Sequence, residues 1–155
     1  MVDGRGARSA SAVSLGVITT PRTDPLPLRL AALRTEFTEL IAEFRPDVVA
    51  VEQVFFQVNV RTAMSVGQAS GLALAEAALA GCEVIQYTPN QVKDAVAGWG
   101  GADKIQVQKM VQSRLGLSAL PKPADAAALA LCHLAMSPIG RTASRTGAST
   151  SGART

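Results

Sequence analysis

The sequence predicts an α/β fold, because segments with strand and helix patterns alternate along the chain. Residues 47–52 form a short, mostly β-branched segment, which is typical of a strand buried on both faces. Segments of helical length precede and follow it, with apolar residues every three or four positions or a high content of small residues. No internal repeat is present, so the alternation indicates a single α/β layer architecture.

The first third of the chain predicts a strand, a helix and a second strand. Residues 12–20 alternate apolar with small side chains, which predicts a half-buried strand that ends at Pro21. A helix is expected from Asp24 to Phe44, and Pro46 ends it because the residue before a proline avoids the helical region. The strand over residues 47–52 follows and ends with Glu52.

The middle of the chain predicts a long helix and a short strand. Residues 60–80 are rich in alanine and glycine, and such small side chains permit a close approach of a neighbouring helix or sheet. Gly81 is suited to the C-cap of this helix. The apolar run within residues 83–87 then indicates a strand.

The last third predicts three helices and a tail. Thr88 and Pro89 have the pattern of a helix start, and that helix is expected to end near Val96. Asp103 or a neighbour caps a helix over residues 104–115, and Asp125 caps a final apolar helix that ends near Met136. We therefore expect one domain over residues 1–138 and a disordered basic tail over residues 139–155.

Composition excludes several classes of protein. With 155 residues, 48% apolar and 17% charged, the chain can bury a core and is not wholly disordered. No apolar stretch is long enough for a membrane span, and the first residues lack the apolar region of a secretory signal. Cys82 and Cys132 are expected to be buried thiols of a cytoplasmic protein, and with His133 as the single histidine a classical zinc site is excluded.

Charge is unevenly distributed. The net charge is +3, of which residues 88–155 carry +5 and the remainder −2. A basic second half indicates an anionic partner such as nucleic acid, although a solvated basic face explains it equally well. Neither a P-loop nor a GxGxxG motif after a strand is present, so the sequence has no phosphate-binding fingerprint.

Two carboxylates are candidate functional groups. Glu52 ends an apolar strand, and in α/β sheets the functional edge lies at the carboxyl ends of the strands. A poorly solvated carboxylate at this point favours metal binding or acid–base chemistry over an ordinary charged strand end. For Asp125 a helix N-cap and a metal ligand beside Glu52 are both open interpretations, and one residue could serve as both.

Three further residues could contact nucleic acid. Phe55 follows the strand that carries Glu52, and it either stacks on an unpaired base or folds back into the core. Lys93 and Lys104 lie on either side of the loop around Trp99, and they either contact phosphates or are solvated.

Taken together, these residues resemble a known family. The relevant segments occur in order and at the expected spacing over about residues 13–138, namely VAVEQVF at 49–55, Asn59 with GQA at 67–69, TPNQVK at 88–93, GADK at 101–104 with QV at 106–107, and PKPADAA at 121–127. The chain resembles RuvC-type Holliday junction resolvases, which are crossover junction endodeoxyribonucleases of the ribonuclease H-like superfamily. The resemblance implies a mixed sheet flanked by helices and metal-dependent hydrolysis of phosphodiester bonds in four-way DNA junctions, in recombination and repair.

The resemblance also implies roles for single residues. Glu52 is similar to the metal-binding glutamate, Phe55 to the aromatic that stacks at the junction centre, and Lys93 and Lys104 to the basic residues near the scissile phosphate. Asp125 is similar to the first of two aspartates at the start of the last helix, or to the second if the gap in the alignment is placed differently. The family holds two Mg²⁺ ions, acts as a homodimer with a contact near the helix of residues 60–80, and works with a branch-migration helicase complex.

The sequence departs from the family pattern at two places. The family's first strand carries an aspartate in a D-P-G-type motif, and Asp3 does not have that context, so the domain is expected to lack the family's first strand or two. The last helix retains a single acid, Asp125, where the family usually has two. Two carboxylates therefore stand where the family has four, and we expect an N-terminally truncated resolvase with weak activity or none.

Two other functional classes remain open. One is a non-catalytic module that binds junctions or other DNA through the basic half and Phe55. The other is an unrelated small-molecule enzyme of the same layer architecture, which predicts no salt-dependent affinity for DNA.

Overall fold

In the computed structural model of this chain, the described residues are 1–6, 8–53, 60–121 and 124–137, and of residues 60–62 only the backbone. The expected tail and Phe55 lie outside these ranges. The described elements follow in the order β1 (Val2–Asp3), β2 (Ser11–Ala12), α1 (Leu26–Phe44), β3 (Val48–Glu52), α2 (Val60–Leu79), β4 (Glu83–Tyr87), α3 (Pro89–Ala97), α4 (Lys104–Leu115) and α5 (Ala124–Met136). The α/β class is confirmed.

A parallel pair of strands lies at the centre of the molecule. β3 pairs with β4 in parallel, in a register that runs from Val48 opposite Glu83 to Glu52 opposite Tyr87. α2 connects the two strands, packs on both of them and also contacts α1. α5 packs on β3 and contacts β1, α3 and α4.

The core lies among the last three helices and the end of β4. Its fully buried side chains include Val96 of α3, Val111 of α4, and Leu131 and Cys132 of α5. Tyr87 closes this core at the carboxyl end of β4. Capping boxes begin both α3, at Thr88, and α4, at Asp103, as the sequence predicts.

The strand predicted over residues 12–20 is wrong. β2 contains two residues, and its antiparallel ladder with β1 ends where the N–H groups of Val13 and Ser14 both donate to the Met1 carbonyl. The alternation of apolar residues does not by itself form a strand beyond this ladder, because a strand needs a paired neighbour. Val13 and Val17 are consequently exposed.

β3 is less buried than its sequence predicts. Residues 48–51 are half-buried instead of buried, because a trench of about 1240 Å³ opens beside this strand. The trench is lined by β1, the first residues of β3, the apolar side of α1 and small residues of α5. Among the described residues, the two short sheets β1–β2 and β3–β4 therefore remain separate.

No helix in the described part of the chain is long and apolar enough to cross a membrane.

Candidate active site at the carboxyl end of the parallel strands

Glu52 is fixed by strand pairing at the carboxyl end of β3. Its ladder partner is Tyr87, the last residue of β4, and partners in adjacent strands point to the same face of a sheet. The N–H of Gln53 donates to the Tyr87 carbonyl at 2.8 Å, so the two strands stay joined one residue beyond Glu52. The backbone that carries this carboxylate is thus held on both sides of the residue.

Asp125 approaches the same place from α5. That helix begins at Ala124, so Asp125 lies inside its first turn, and the predicted N-cap position for Asp125 is wrong. With Asp125 as the N-cap the first helical residue would be 126, whereas the helix begins two residues earlier, at Ala124. A carboxylate in the first turn is still favourable, because the N-terminal end of a helix carries positive potential.

The two carboxylates influence each other. Desolvation raises the pKa of Glu52 above its ordinary value, and the negative charge of Asp125 raises that pKa further. Glu52 remains exposed as a residue, so its surroundings desolvate the carboxyl group only in part. Two neighbouring carboxylates that repel each other form a place where a cation is favoured.

Lys104 forms an ion pair with Asp125. It is the first residue of α4, and its Nζ donates to Oδ2 of Asp125 at 3.3 Å. The Lys104 side chain is 67% exposed and that of Asp125 66%, so this ion pair contributes little stability. Such a lysine can exchange its partner for a phosphate or a metal-bound ligand at small cost.

Lys93 lies in the second turn of α3 and is half-buried. α3 begins directly after β4, so this lysine belongs to the end of the sheet where Glu52 lies. No described contact joins Lys93 to either carboxylate, and its role in DNA binding stays a prediction. The same holds for Phe55, which lies outside the described residues.

A polar pair that includes the ladder partner of Glu52 was not predicted from the sequence. Oη of Tyr87 and Nδ1 of His133 lie 3.0 Å apart, within hydrogen-bond distance, with the ring centroids separated by 6.3 Å. The sequence identifies His133 only as a single histidine, too few for a classical zinc site. The available signal was the position of Tyr87, which ends a strand parallel to the one that Glu52 ends.

The donor set suits one hydrated divalent cation. Mg²⁺ prefers oxygen ligands, keeps several waters and is commonly held by one or two carboxylates, which is what Glu52 and Asp125 offer. In the parts of the chain that the structure describes, no group of three or more Asp, Glu, His or Cys side chains could hold a metal ion. These residues therefore fit a single ion and do not fit the two-ion centre that the resemblance implied.

Comparison with known proteins decides the family. The family model described as crossover junction endodeoxyribonuclease RuvC matches residues 1–133. The chain belongs to the RuvC family. A RuvC of Rubrobacter xylanophilus is 53% identical over 124 residues, which cover 78% of this chain and 69% of the relative. A RuvC of Salinispora arenicola is 50% identical over 137 residues, which cover 86% of this chain and 78% of the relative.

Solved RuvC structures agree with this assignment. The Thermus thermophilus RuvC structure has a TM-score of 0.76 and 40% identity, covering 86% of this chain and 82% of that one. T. thermophilus RuvC in complex with a Holliday junction substrate has a TM-score of 0.79 and 40% identity, covering 85% and 82%. The ribonuclease H-like architecture expected from the RuvC resemblance is thereby confirmed.

Proposed function

We propose that this chain is a metal-dependent endonuclease that acts on four-way DNA junctions. The observation that carries the proposal is the pair Glu52 and Asp125, brought together at the carboxyl end of β3 in a chain of the RuvC family. The similarity to a RuvC bound to a Holliday junction substrate supports the choice of DNA substrate.

Within this proposal, Glu52 and Asp125 hold one Mg²⁺ ion through their carboxylate oxygens. When bound, that ion activates a water molecule and neutralises charge on the scissile phosphate. Lys104 leaves Asp125 and contacts the phosphate, and Lys93 contacts the backbone from α3. Phe55 stacks on an unpaired base at the junction centre.

The number of carboxylate ligands at the proposed metal site determines the cleavage rate that we expect. Glu52 and Asp125 are the two metal ligands that we propose, and no group of three or more such side chains occurs among the described residues. Two-ion hydrolysis needs more ligands than two carboxylates provide. We therefore propose that this chain, as it stands, binds junctions and cuts them slowly or not at all. The lack of a group of three or more potential ligands among the described residues also favours the second candidate, a junction-binding module without catalysis.

A paired binding and cleavage assay tests both candidates. The chain is mixed with a synthetic four-way junction and a linear duplex of the same sequence, with Mg²⁺ or EDTA, over a range of salt. We expect tighter binding to the junction, an affinity that falls steeply with salt, and slow Mg²⁺-dependent nicking that Glu52→Gln abolishes. Phosphate contacts require the salt dependence, so salt-independent or absent binding contradicts both candidates.

The remaining outcomes separate the two candidates. Binding without any nicking leaves the junction-binding module. Robust paired nicking contradicts the slow rate proposed for a two-acid site, and nicking that persists in Glu52→Gln contradicts the role of this residue. Asp125→Asn is the matched control on the second acid, and it should weaken the Mg²⁺ dependence without abolishing junction binding.

The proposal extends to assembly and location. Homodimer formation is proposed through α2, whose exposed positions include Met64, Gly67 and Gly71, with open space beside both glycines. These residues are three and four apart, so they share one helix face that a second helix could approach closely. Cooperation with a branch-migration helicase complex and a cytoplasmic location are proposed from the family resemblance alone. Light scattering at several concentrations tests the dimer, and Gly71→Arg should shift it to monomer.

A further inference from the structure

We infer that the Tyr87–His133 pair is a positioning latch, which sets the spacing between Glu52 and Asp125 by fastening α5 to the end of the parallel strands. The inference rests on the proposed function, because it concerns the geometry of the proposed metal site. Tyr87 is 6% exposed, and its hydroxyl lies 3.0 Å from Nδ1 of His133. A buried hydroxyl paired with a ring nitrogen has a defined direction that an apolar contact lacks.

One half of the latch is coupled to Glu52 through the backbone. Tyr87 is the ladder partner of Glu52, and its carbonyl accepts from the N–H of Gln53 at 2.8 Å. A shift of Tyr87 along or across the sheet therefore moves the residues on both sides of the Glu52 carboxylate. Tyr87 acts on Glu52 through this backbone pairing, so its role is positioning.

The other half of the latch is coupled to Asp125 through α5. Asp125 and His133 are eight residues apart on the same helix, which corresponds to about 12 Å of rigid rise. Cys132 adds a second fastening, because its Sγ donates to the carbonyl of Gln91 on α3 at 3.6 Å. Two polar contacts at consecutive residues restrict both rotation and sliding of α5.

The acidic end of α5 is held mainly by packing, since Ala124 and Ala128 are fully buried. Its described polar contact is the exposed Lys104–Asp125 pair, which cannot by itself fix the helix. Among the described contacts, orientation of Asp125 thus depends on packing and on the fastening at His133 and Cys132. Outer partners that orient metal ligands in this way commonly affect metal affinity by about tenfold or more.

The test uses four variants of the whole chain. Tyr87→Phe removes the hydroxyl, and His133→Leu removes the ring nitrogen. His133→Asn retains a polar group near the position of Nδ1 and serves as the conservative rescue. Thr38→Val is the matched control, because it removes the hydrogen bond from Thr38 Oγ1 to Glu76 between α1 and α2, remote from α5.

Two NMR measurements report on the latch without measuring cleavage. Mn²⁺ is titrated as the probe, and paramagnetic broadening of the Glu52 and Asp125 amides gives a midpoint for each. Amide hydrogen exchange of Gln53 is measured beside that of Val111, which reports on the core. We expect Tyr87→Phe and His133→Leu to raise the Mn²⁺ midpoint about tenfold and to speed exchange at Gln53 more than at Val111.

The controls define what would overturn the latch. His133→Asn should lie close to the wild type in both measurements, and Thr38→Val should change neither the Mn²⁺ midpoint nor the Gln53-to-Val111 ratio. Unchanged midpoints in Tyr87→Phe and His133→Leu overturn the latch. If Mn²⁺ broadens neither amide in the wild type, the proposed metal site fails, and unchanged exchange at Gln53 then overturns the latch separately.

Discussion

Two glutamates in this chain have opposite electrostatic surroundings. Desolvation and the charge of Asp125 raise the pKa of Glu52. Glu76 of α2 has a lowered pKa, chiefly because Nε of Arg34 donates to its Oε1 at 2.6 Å, with a second hydrogen bond from Thr38 at 3.1 Å. Ionisation of Glu52 therefore opposes folding, whereas ionisation of Glu76 favours it.

Glu52→Gln should stabilise the chain at pH 7. The folded-state pKa of Glu52 lies above the ordinary value of 4.5, so the folded chain loses stability, relative to low pH, as the pH rises through that range. Glutamine has no charge to desolvate, and the variant should have the higher free energy of unfolding at pH 7. Well below pH 4.5 the two proteins should converge, since residue 52 is then neutral in both the folded and the unfolded chain. Urea denaturation at pH 7 and pH 3.5 measures the difference, and a destabilised variant at pH 7 contradicts the assignment.

Glu76→Gln should have the opposite effect at pH 7. The folded-state pKa of Glu76 lies below 4.5, so its contribution is present above that pH and is lost as the pH falls through the folded-state pKa. The variant should therefore be less stable than the wild type at pH 7 and should approach it in acid. The same urea series measures the free energy of unfolding of both variants. Because both replace a glutamate by glutamine, each variant is the control for the other.

At the scale of elements, the start of α4 determines where Lys104 lies. Asp103 Oδ1 accepts from the Gln106 N–H at 2.8 Å, and Gln106 Oε1 accepts from the Asp103 N–H at 2.9 Å. This capping box satisfies two backbone donors that the helix itself leaves unpaired. Lys104 is the next residue, so its approach to Asp125 depends on a well-formed first turn.

Asp103→Ala should cost about 1 kcal/mol of stability, which is the usual effect of losing an N-cap side chain. Asp103→Ser retains an acceptor for the Gln106 N–H and should recover most of that loss. Thermal and urea denaturation measure the stability of both variants. Equal stability of the alanine and serine variants would show that the cap does not contribute.

The element order was largely accessible from the sequence. The predicted caps Thr88 and Asp103 are local signals, because an N-cap acts within the first turn of its own helix. α1 was likewise predicted by apolar spacing and by Pro46. Local chemistry fixes such helices, and their predicted bounds differ from the structure by only a residue or two.

Features that depend on pairing across the chain were not accessible. Residues 12–20 have a strand pattern, but the structure offers them a two-residue ladder only. The Lys104–Asp125 and Tyr87–His133 contacts join residues that are 21 and 46 positions apart. Periodicity contains no information on such partners, so the sequence could supply Glu52 and Asp125 as candidates but not the polar groups around them.

At the scale of the whole molecule, the mostly apolar trench beside β3 is a large departure from close packing in the described chain. Leu40 of α1 and Ala130 of α5 both line it, and its volume is about 1240 Å³. Protein interiors rarely contain voids much larger than a water molecule, so the trench is open surface with apolar walls. Contiguous exposed apolar surface of this kind binds hydrophobic molecules.

The dye ANS should therefore bind the native chain and fluoresce. Leu40→Lys places a charge in the trench and should reduce the signal, whereas Leu79→Lys is the matched control on an exposed leucine outside it. ANS also binds molten globules, so near-UV circular dichroism and a cooperative urea transition must show that each protein is folded. Equal loss of fluorescence in both variants would mean that the dye binds exposed apolar surface in general and not the trench. Loss in Leu40→Lys alone would place the dye in the trench, and would show that the half-burial of β3 results from an apolar wall that the described chain leaves open to solvent.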